Sequence, residues 1–242
     1  MYSNHVDRGC GGGNALITGT NGPGSVRRAP IEFDIAGNVP AGAVIQSAQL
    51  TLVMGQVATS PAEVAIIGLH RITSDWGEGT TQQQIPPNDS FGGMGQGAPA
   101  TDGDVTWIAR FWSATPTPWN MPGGDFVPAA SASANVELPV NVGYSWNSTA
   151  ALVSDIQSWL DTPSTNFGWM LVNADEINTS TFRVFYSRQT ATAAWRPQLS
   201  ITYEVIPEPG AVALLGGAAL ACGALNRARR GGLTRSRALG RG

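Results

Sequence analysis

Lysine is absent from this 242-residue chain, and all 14 of its basic residues are arginine. Charge of either sign is scarce: the ionisable types Asp, Glu, Lys and Arg make up 13% of residues, where soluble domains usually carry about 25%. Histidine occurs only at His5 and His70, and cysteine only at Cys10 and Cys222. Cys222 lies inside an apolar segment and Cys10 near the start of the chain, so a disulfide between them is not expected. Without a C-x-x-C pair they cannot build a structural zinc site either. A Ser-His-Asp mechanism would have to draw on His5 or His70, and no Gly-x-Ser-x-Gly elbow, His-Glu-x-x-His motif or phosphate loop supports it.

The scarce charges are divided unevenly. The first 206 residues hold 16 acids and 8 arginines, whereas Arg227, Arg229, Arg230, Arg235, Arg237 and Arg241 follow Asn226 with no acid after Glu208. An acidic body excludes nucleic acid as its partner, because phosphate binding needs a basic surface.

What the chain has in quantity is glycine, 30 residues, and proline, 16, with frequent Ser, Thr and Asn. An apolar share of 42% suffices for a core, and the combination of low hydrophobicity with high net charge that produces disorder is missing. Short β-branched and apolar runs between Gly/Pro/Asn turns predict an antiparallel, jelly-roll-like β-sandwich over residues 1–205. Strands are expected at 43–54, where Ala48, Leu50, Leu52 and Met54 alternate, and at 64–72, 168–173, 183–187 and 198–204. Val39-Pro40-Ala41-Gly42 predicts a turn with proline second. One helix is expected where Leu152, Ile156, Trp159 and Leu160 recur at helical spacing, capped by Asn147 or Ser148 and stopped at Asp161-Thr162-Pro163.

The C-terminus has three parts in order: Pro207-Glu208-Pro209, an apolar stretch over 211–225, and a cluster formed by Arg227, Arg229 and Arg230. As a helix the stretch would span about 22 Å at 1.5 Å per residue, short of a roughly 30 Å hydrocarbon core by an amount that local thinning absorbs. Arginines stay on the cytoplasmic side, which puts the body across the membrane. Two prolines hold an extended backbone that a protease groove can read. This order over 206–230 resembles the PEP-CTERM sorting signal of exported bacterial proteins, with 231–242 as a further basic tail. The resemblance implies transient insertion of the tail in the inner membrane, recognition by an exosortase-type membrane enzyme, and delivery to the cell surface or extracellular matrix. Residues 1–13 carry neither a basic start nor an apolar run of about 7–15 residues, as a secretory leader would. A reading frame that begins upstream of Met1 is therefore expected.

The body resembles a DNRLRE-type domain, a family of secreted bacterial sandwiches related to some carbohydrate-binding modules. The resemblance rests on Ser25-Val26-Arg27-Arg28 leading to Phe33-Asp34-Ile35, on residues 45–52, and on Leu69-His70-Arg71 with Asp75-Trp76-Gly77-Glu78-Gly79. Further segments are Asp104-Val105-Thr106-Trp107, Pro122-Gly123-Gly124-Asp125-Phe126, 153–160, Asn166-Phe167-Gly168-Trp169 and Arg196-Pro197-Gln198-Leu199. It implies binding to an exopolysaccharide or a plant glycan.

Tryptophan faces stack on pyranose rings, and Trp76, Trp112, Trp119 and Trp195 lie in or beside expected loops, whereas Trp159 and Trp169 have core spacing. Calcium takes loop oxygens, which Asp75 with Glu78 and Asp102 with Asp104 could supply. A glycosidase needs two facing carboxylates, for which Asp75, Glu78, Asp102, Asp104, Asp125, Asp175 and Glu176 are the candidates. Loop acids in Gly-rich turns more commonly close the turn itself, and the chain reads as a non-enzyme. Arg27, Arg28, Arg188 and Arg196 are expected to pair with acids of the body.

The tail reading predicts that the protein recovered from its native envelope has an intact mass lacking everything after about Pro209, with additional residues ahead of Met1. A mass matching 1–242, found in the cytoplasm, would overturn it.

Overall fold

The computed structural model describes residues 1–58, 61, 63–82 and 96–206. The expected C-terminal apolar helix and the sorting residues 207–230 lie outside them. The elements in chain order are β1 (Arg8–Gly9), β2 (Ala15–Thr20), β3 (Val26–Arg27), β4 (Ala29–Ile31), β5 (Ala43–Val57), β6 (Ala65–Arg71) and β7 (Ala98–Pro99). They continue with β8 (Ala109–Phe111), β9 (Thr117–Pro118), β10 (Ala132–Val136), β11 (Val142–Trp146), α1 (Ala150–Asp161), β12 (Trp169–Asn173), β13 (Arg183–Tyr186) and β14 (Gln198–Val205). The fold is all-β with a single α-helix among the described residues, and no described helix is long and apolar enough to cross a membrane.

Two antiparallel sheets dominate. One runs β10-β6-β12-β4; the other runs β11-β5-β13-β2-β3, with β14 also paired to β5. Pairing joins distant parts of the chain, since β2 lies against β13 and β4 against β12.

The alternation in β5 explains its place. Leu50, Leu52 and Met54 are fully buried, while Gln49 on the other face is exposed. Further upstream the buried positions are Ala43 and Ile45, so the in-out phase slips by one residue before Ala48. At the slip, side chains from the helix region satisfy the strand: Ile45 N–H donates to Gln157 Oε1 at 2.9 Å and Ala48 N–H to Ser148 Oγ at 3.2 Å. The preceding turn is framed one residue later than expected. Ala43 N–H donates to the Pro40 carbonyl, and Gly42 takes the positive φ of 76° that the third turn position requires.

One core unites both sheets. Ile67, Leu69, Val136, Trp169 and Leu171 come from the first sheet, Leu50, Leu52, Met54, Trp146 and Phe185 from the second, and Leu152, Ile156 and Trp159 from α1. The Trp146 indole N–H crosses this core to the Ile67 carbonyl at 2.7 Å, joining the sheets by a hydrogen bond as well as by packing. The helix has Thr149 as its N-cap, not Asn147 or Ser148: Thr149 Oγ1 accepts from Leu152 N–H at 3.0 Å and donates to Ser131 O. Ser148 is diverted to β5, which is why the cap falls one residue later.

Asp155 fixes the helix to the first sheet. Its carboxylate is buried and accepts from the Trp169 indole N–H at 2.9 Å, from Ser131 Oγ, and from Arg71 at 3.4 Å. Trp159 and Trp169 meet edge to face with centroids 4.6 Å apart, and Arg71 lies over the Trp159 ring. Removing the carboxylate strands two buried donors and a half-buried cation. Asp155→Ala is therefore expected to lower the unfolding free energy by about 2–4 kcal/mol in urea titrations. A loss below about 1 kcal/mol would show that the network is dispensable.

Candidate functional site

β4 is the outer strand of one sheet, and β2 belongs to the other. Where they run side by side a cleft of about 510 Å³ opens, within the size range of small-ligand sites. Its floor is apolar: Ala15 and Ile17 from β2, Ala29 and Ile31 from β4, and Val105. Three segments supply its polar rim, namely Glu32 and Asp34 directly after β4, Trp76 and Glu78 in the segment after β6, and Ser187, Arg188 and Gln189 after β13.

Every rim group but Glu32 is held by a hydrogen bond or an ion pair. Glu78 receives a two-pronged bond from Arg188, with Nε at 2.9 Å from Oε1 and Nη2 on Oε2, and Gln189 Nε2 adds a third at 3.1 Å. The hydrogen bonds to Glu78, and then its charge, push the Arg188 guanidinium up. Gln189 also donates to Gly11 O at 3.1 Å, and Ser187 Oγ to Gly13 O at 2.7 Å, anchoring this rim to the N-terminal segment. Asp34 caps a turn through Gly37 N–H at 2.8 Å. Desolvation in the cleft, followed by the charges of Asp34 and Glu78, pushes the Glu32 carboxyl up. Trp76 is half-buried against Ile72, Val105, Trp119 and Met170, and its N–H is spent on Phe167 O at 2.9 Å. What Trp76 offers the cleft is therefore apolar ring surface.

The expected glycan-stacking residues separate here. Trp119 is 4% exposed with its N–H on Thr106 O at 3.0 Å, so it is a core residue and not a surface platform. Trp195, half-buried outside the cleft, is stacked on Tyr186 with centroids 4.6 Å apart, so one of its faces is covered by that ring. Trp112 is half-buried outside the cleft, its backbone tied to Asp104 O and Gly103 N. Only Trp76 of the four lines the cleft.

The four acids considered for calcium do not converge. Asp75 pairs with Arg110 and Glu78 with Arg188, while Asp102 is exposed. Asp104 is fully buried and accepts from Thr101 N–H at 2.7 Å, Thr81 N–H at 3.2 Å and both threonine hydroxyls. It is the clasp between two loops. Gly79, at φ 70°, packs so closely on it that a Cβ would lie 1.7 Å from Oδ1. Among the described residues no group of three or more His, Cys, Asp or Glu is arranged to hold a metal ion.

The other acids also close turns or pair. Asp125 accepts from Asn120, Met121 and Ser74, and the Asn178 backbone and side-chain N–H groups hold the Asp175 carboxyl low. Glu176 forms a two-pronged pair with Arg28, which lies over Trp107 and Phe126 at 5.1 Å each. Thus Arg28 and Arg188 pair with acids as expected. Arg27 bonds to Asn4 and Val26 O, and Arg196 to Thr190 O. His70 Nδ1 lies 3.0 Å from Val127 O, with its ring edge-on to Phe126. Glu32 was missed among the candidate acids and Asp34 entered only through the Phe33-Asp34-Ile35 resemblance, because no strand was expected at 29–31 to place them on a sheet edge.

No model of a known protein family matches the chain, and no curated protein is similar to it in sequence.

Because Asp104 is saturated by protein donors, Asp104→Ala is expected to cost about 2–4 kcal/mol of stability. The unfolding midpoint of the unaltered protein should be the same in excess calcium and in chelator. A rise of several degrees with calcium would restore the metal reading.

Proposed function

We propose that this chain is an exported, non-catalytic surface protein whose body, a jelly-roll-like sandwich, binds a saccharide in the Trp76 cleft. The observation that carries the binding role is the combination in one cleft of a tryptophan ring whose N–H is already satisfied and carboxylates at the rim. Pyranose rings present a C–H face that stacks on indole and hydroxyls that donate to carboxylates. The likeness of the body to DNRLRE-type sandwiches favours the same ligand class.

Delivery is assigned to the tail. An exosortase-type enzyme would cut near Pro207-Glu208-Pro209 while the apolar stretch and Arg227, Arg229 and Arg230 hold the chain in the inner membrane. The last described strand, β14, ends at Val205, and among the described residues every core position precedes Val205. A cut after Pro209 would therefore leave the body whole.

Hydrolysis is the less favoured reading, because the cleft carboxylates have other work. Glu78 is neutralised by Arg188, and Asp34 lies two residues from Glu32 on the same rim with one oxygen on Gly37 N–H, so the two are neighbours on one side of the cleft and not the facing pair a glycosidase needs.

Calorimetric titration of the full-length protein with cello-, xylo-, manno- and chito-oligosaccharides tests the binding role. At least one should bind, and Trp76→Ala should weaken it about tenfold or more, equivalent to about 1.4 kcal/mol. Trp112→Ala should leave the affinity unchanged. Equal losses in both variants, or no binding to any oligomer, would refute the cleft as a saccharide site.

A further inference from the structure

We propose that the saccharide this cleft selects carries free amino groups, as in a deacetylated, glucosamine-type polysaccharide. This rests on the saccharide reading above; the site is the cleft itself, and its charges decide which sugar it prefers.

The cleft is lined by Glu32, Asp34 and Glu78 against a single arginine, Arg188. That arginine is consumed by its fork on Glu78. The amino group of Met1, also in the lining, donates to Arg28 O at 2.8 Å and is pushed down to about 5 by burial. Glu32 and Asp34 are left without an ion-pair partner among the described residues. They sit two residues apart at the end of an edge strand, on the rim of a cavity with an apolar floor. Charges of one sign around a partly desolvated space repel one another, and the elevation of Glu32 by burial and by its two acidic neighbours is the same repulsion seen from one group.

A protonated sugar amine placed there relieves that repulsion and gains two charge-assisted hydrogen bonds. Its ring can lie on Trp76, whose π face also favours a nearby cation. An acetylated amine offers one neutral donor and no charge. A uronic-acid polymer would bring like charge into the cleft and toward a body in which acids outnumber arginines two to one over residues 1–206. Hydroxyl-only glycans are accepted but not preferred.

The test is titration of the full-length protein, at mildly acidic pH and moderate salt, with four hexasaccharides: glucosamine, N-acetylglucosamine, cellohexaose and a uronate oligomer. The glucosamine hexamer should bind about tenfold or more tighter than its acetylated counterpart, with the gap shrinking as salt rises. The double variant Glu32→Gln/Asp34→Asn, which keeps an acceptor for the Gly37 turn, should bring the two within about threefold, weakening the glucosamine hexamer more than it weakens cellohexaose. The control Glu137→Gln/Glu204→Gln removes the same charge at exposed positions outside the cleft and should keep the full preference. Equal binding of the acetylated and free amines, or tighter binding of the uronate, overturns the charge inference while leaving saccharide binding intact. An equal loss of preference in the control pair also overturns it, since the attraction would then belong to the acidic body as a whole. Silence toward all four hexamers would overturn the saccharide reading itself.

Discussion

A buried indole fills a large volume but carries one N–H that must be answered, and the way this protein answers it organises the rest. Trp146 sends its proton across the core to a strand carbonyl of the opposite sheet, and Trp169 sends its proton to Asp155 on the helix. Sheet, sheet and helix are thereby held at fixed separations by directional bonds, whereas packing alone tolerates small slides. Trp159 is the exception. Its N–H is buried without a hydrogen-bond acceptor, and the ring relies on its edge contact with Trp169 and on the Arg71 guanidinium above it. Asp155 consequently serves more than one neighbour: it takes the Trp169 proton and also positions the arginine that covers Trp159.

The cleft follows from how the first sheet ends. β4 is three residues long and carries Pro30, which has no N–H to offer another strand. Pairing stops there, and the chain turns outward through Glu32, Phe33 and Asp34 to form a rim. The opposite rim is placed by β13, whose continuation through Ser187 and Gln189 is fastened to Gly13 and Gly11. Both rims thus hang from strands of the two main sheets, which gives the cleft a rigid frame although its polar residues lie in loops.

Five strands of the two main sheets stand out in sequence as apolar or β-branched runs between turn residues, whereas β2, β4, β10 and β11 of the same sheets were not expected. β5, β6, β12, β13 and β14 fall within three residues of the expected limits, and α1 is capped by Thr149, one residue beyond the two candidates Asn147 and Ser148. The short strands β1, β3, β7, β8 and β9 are two or three residues each, too brief to show any period. The cleft was only partly legible. Trp76 and Glu78 were singled out as separate features, but their meeting with Glu32, Asp34 and Arg188 depends on segments more than a hundred residues apart in sequence. Trp119 illustrates the converse: a loop position in sequence is no guide to exposure when the loop folds back over a satellite core. The likeness of the tail to a PEP-CTERM signal rests on order and composition alone, and nothing among the described residues bears on it.

The pairing of β2 with β13 and of β4 with β12 also sets when this fold can exist. Residues 15–20 have only the two-residue strand β3 to lie against until residues 183–186 are present, and residues 29–31 wait for 169–171. Closure is therefore a late event in the life of the chain, reached only after almost the whole body has emerged, and the entropy of a loop of more than 150 residues opposes it. A polypeptide built this way cannot close its main sheets until nearly the whole body has been made, and its early strands keep exposed edges for that interval.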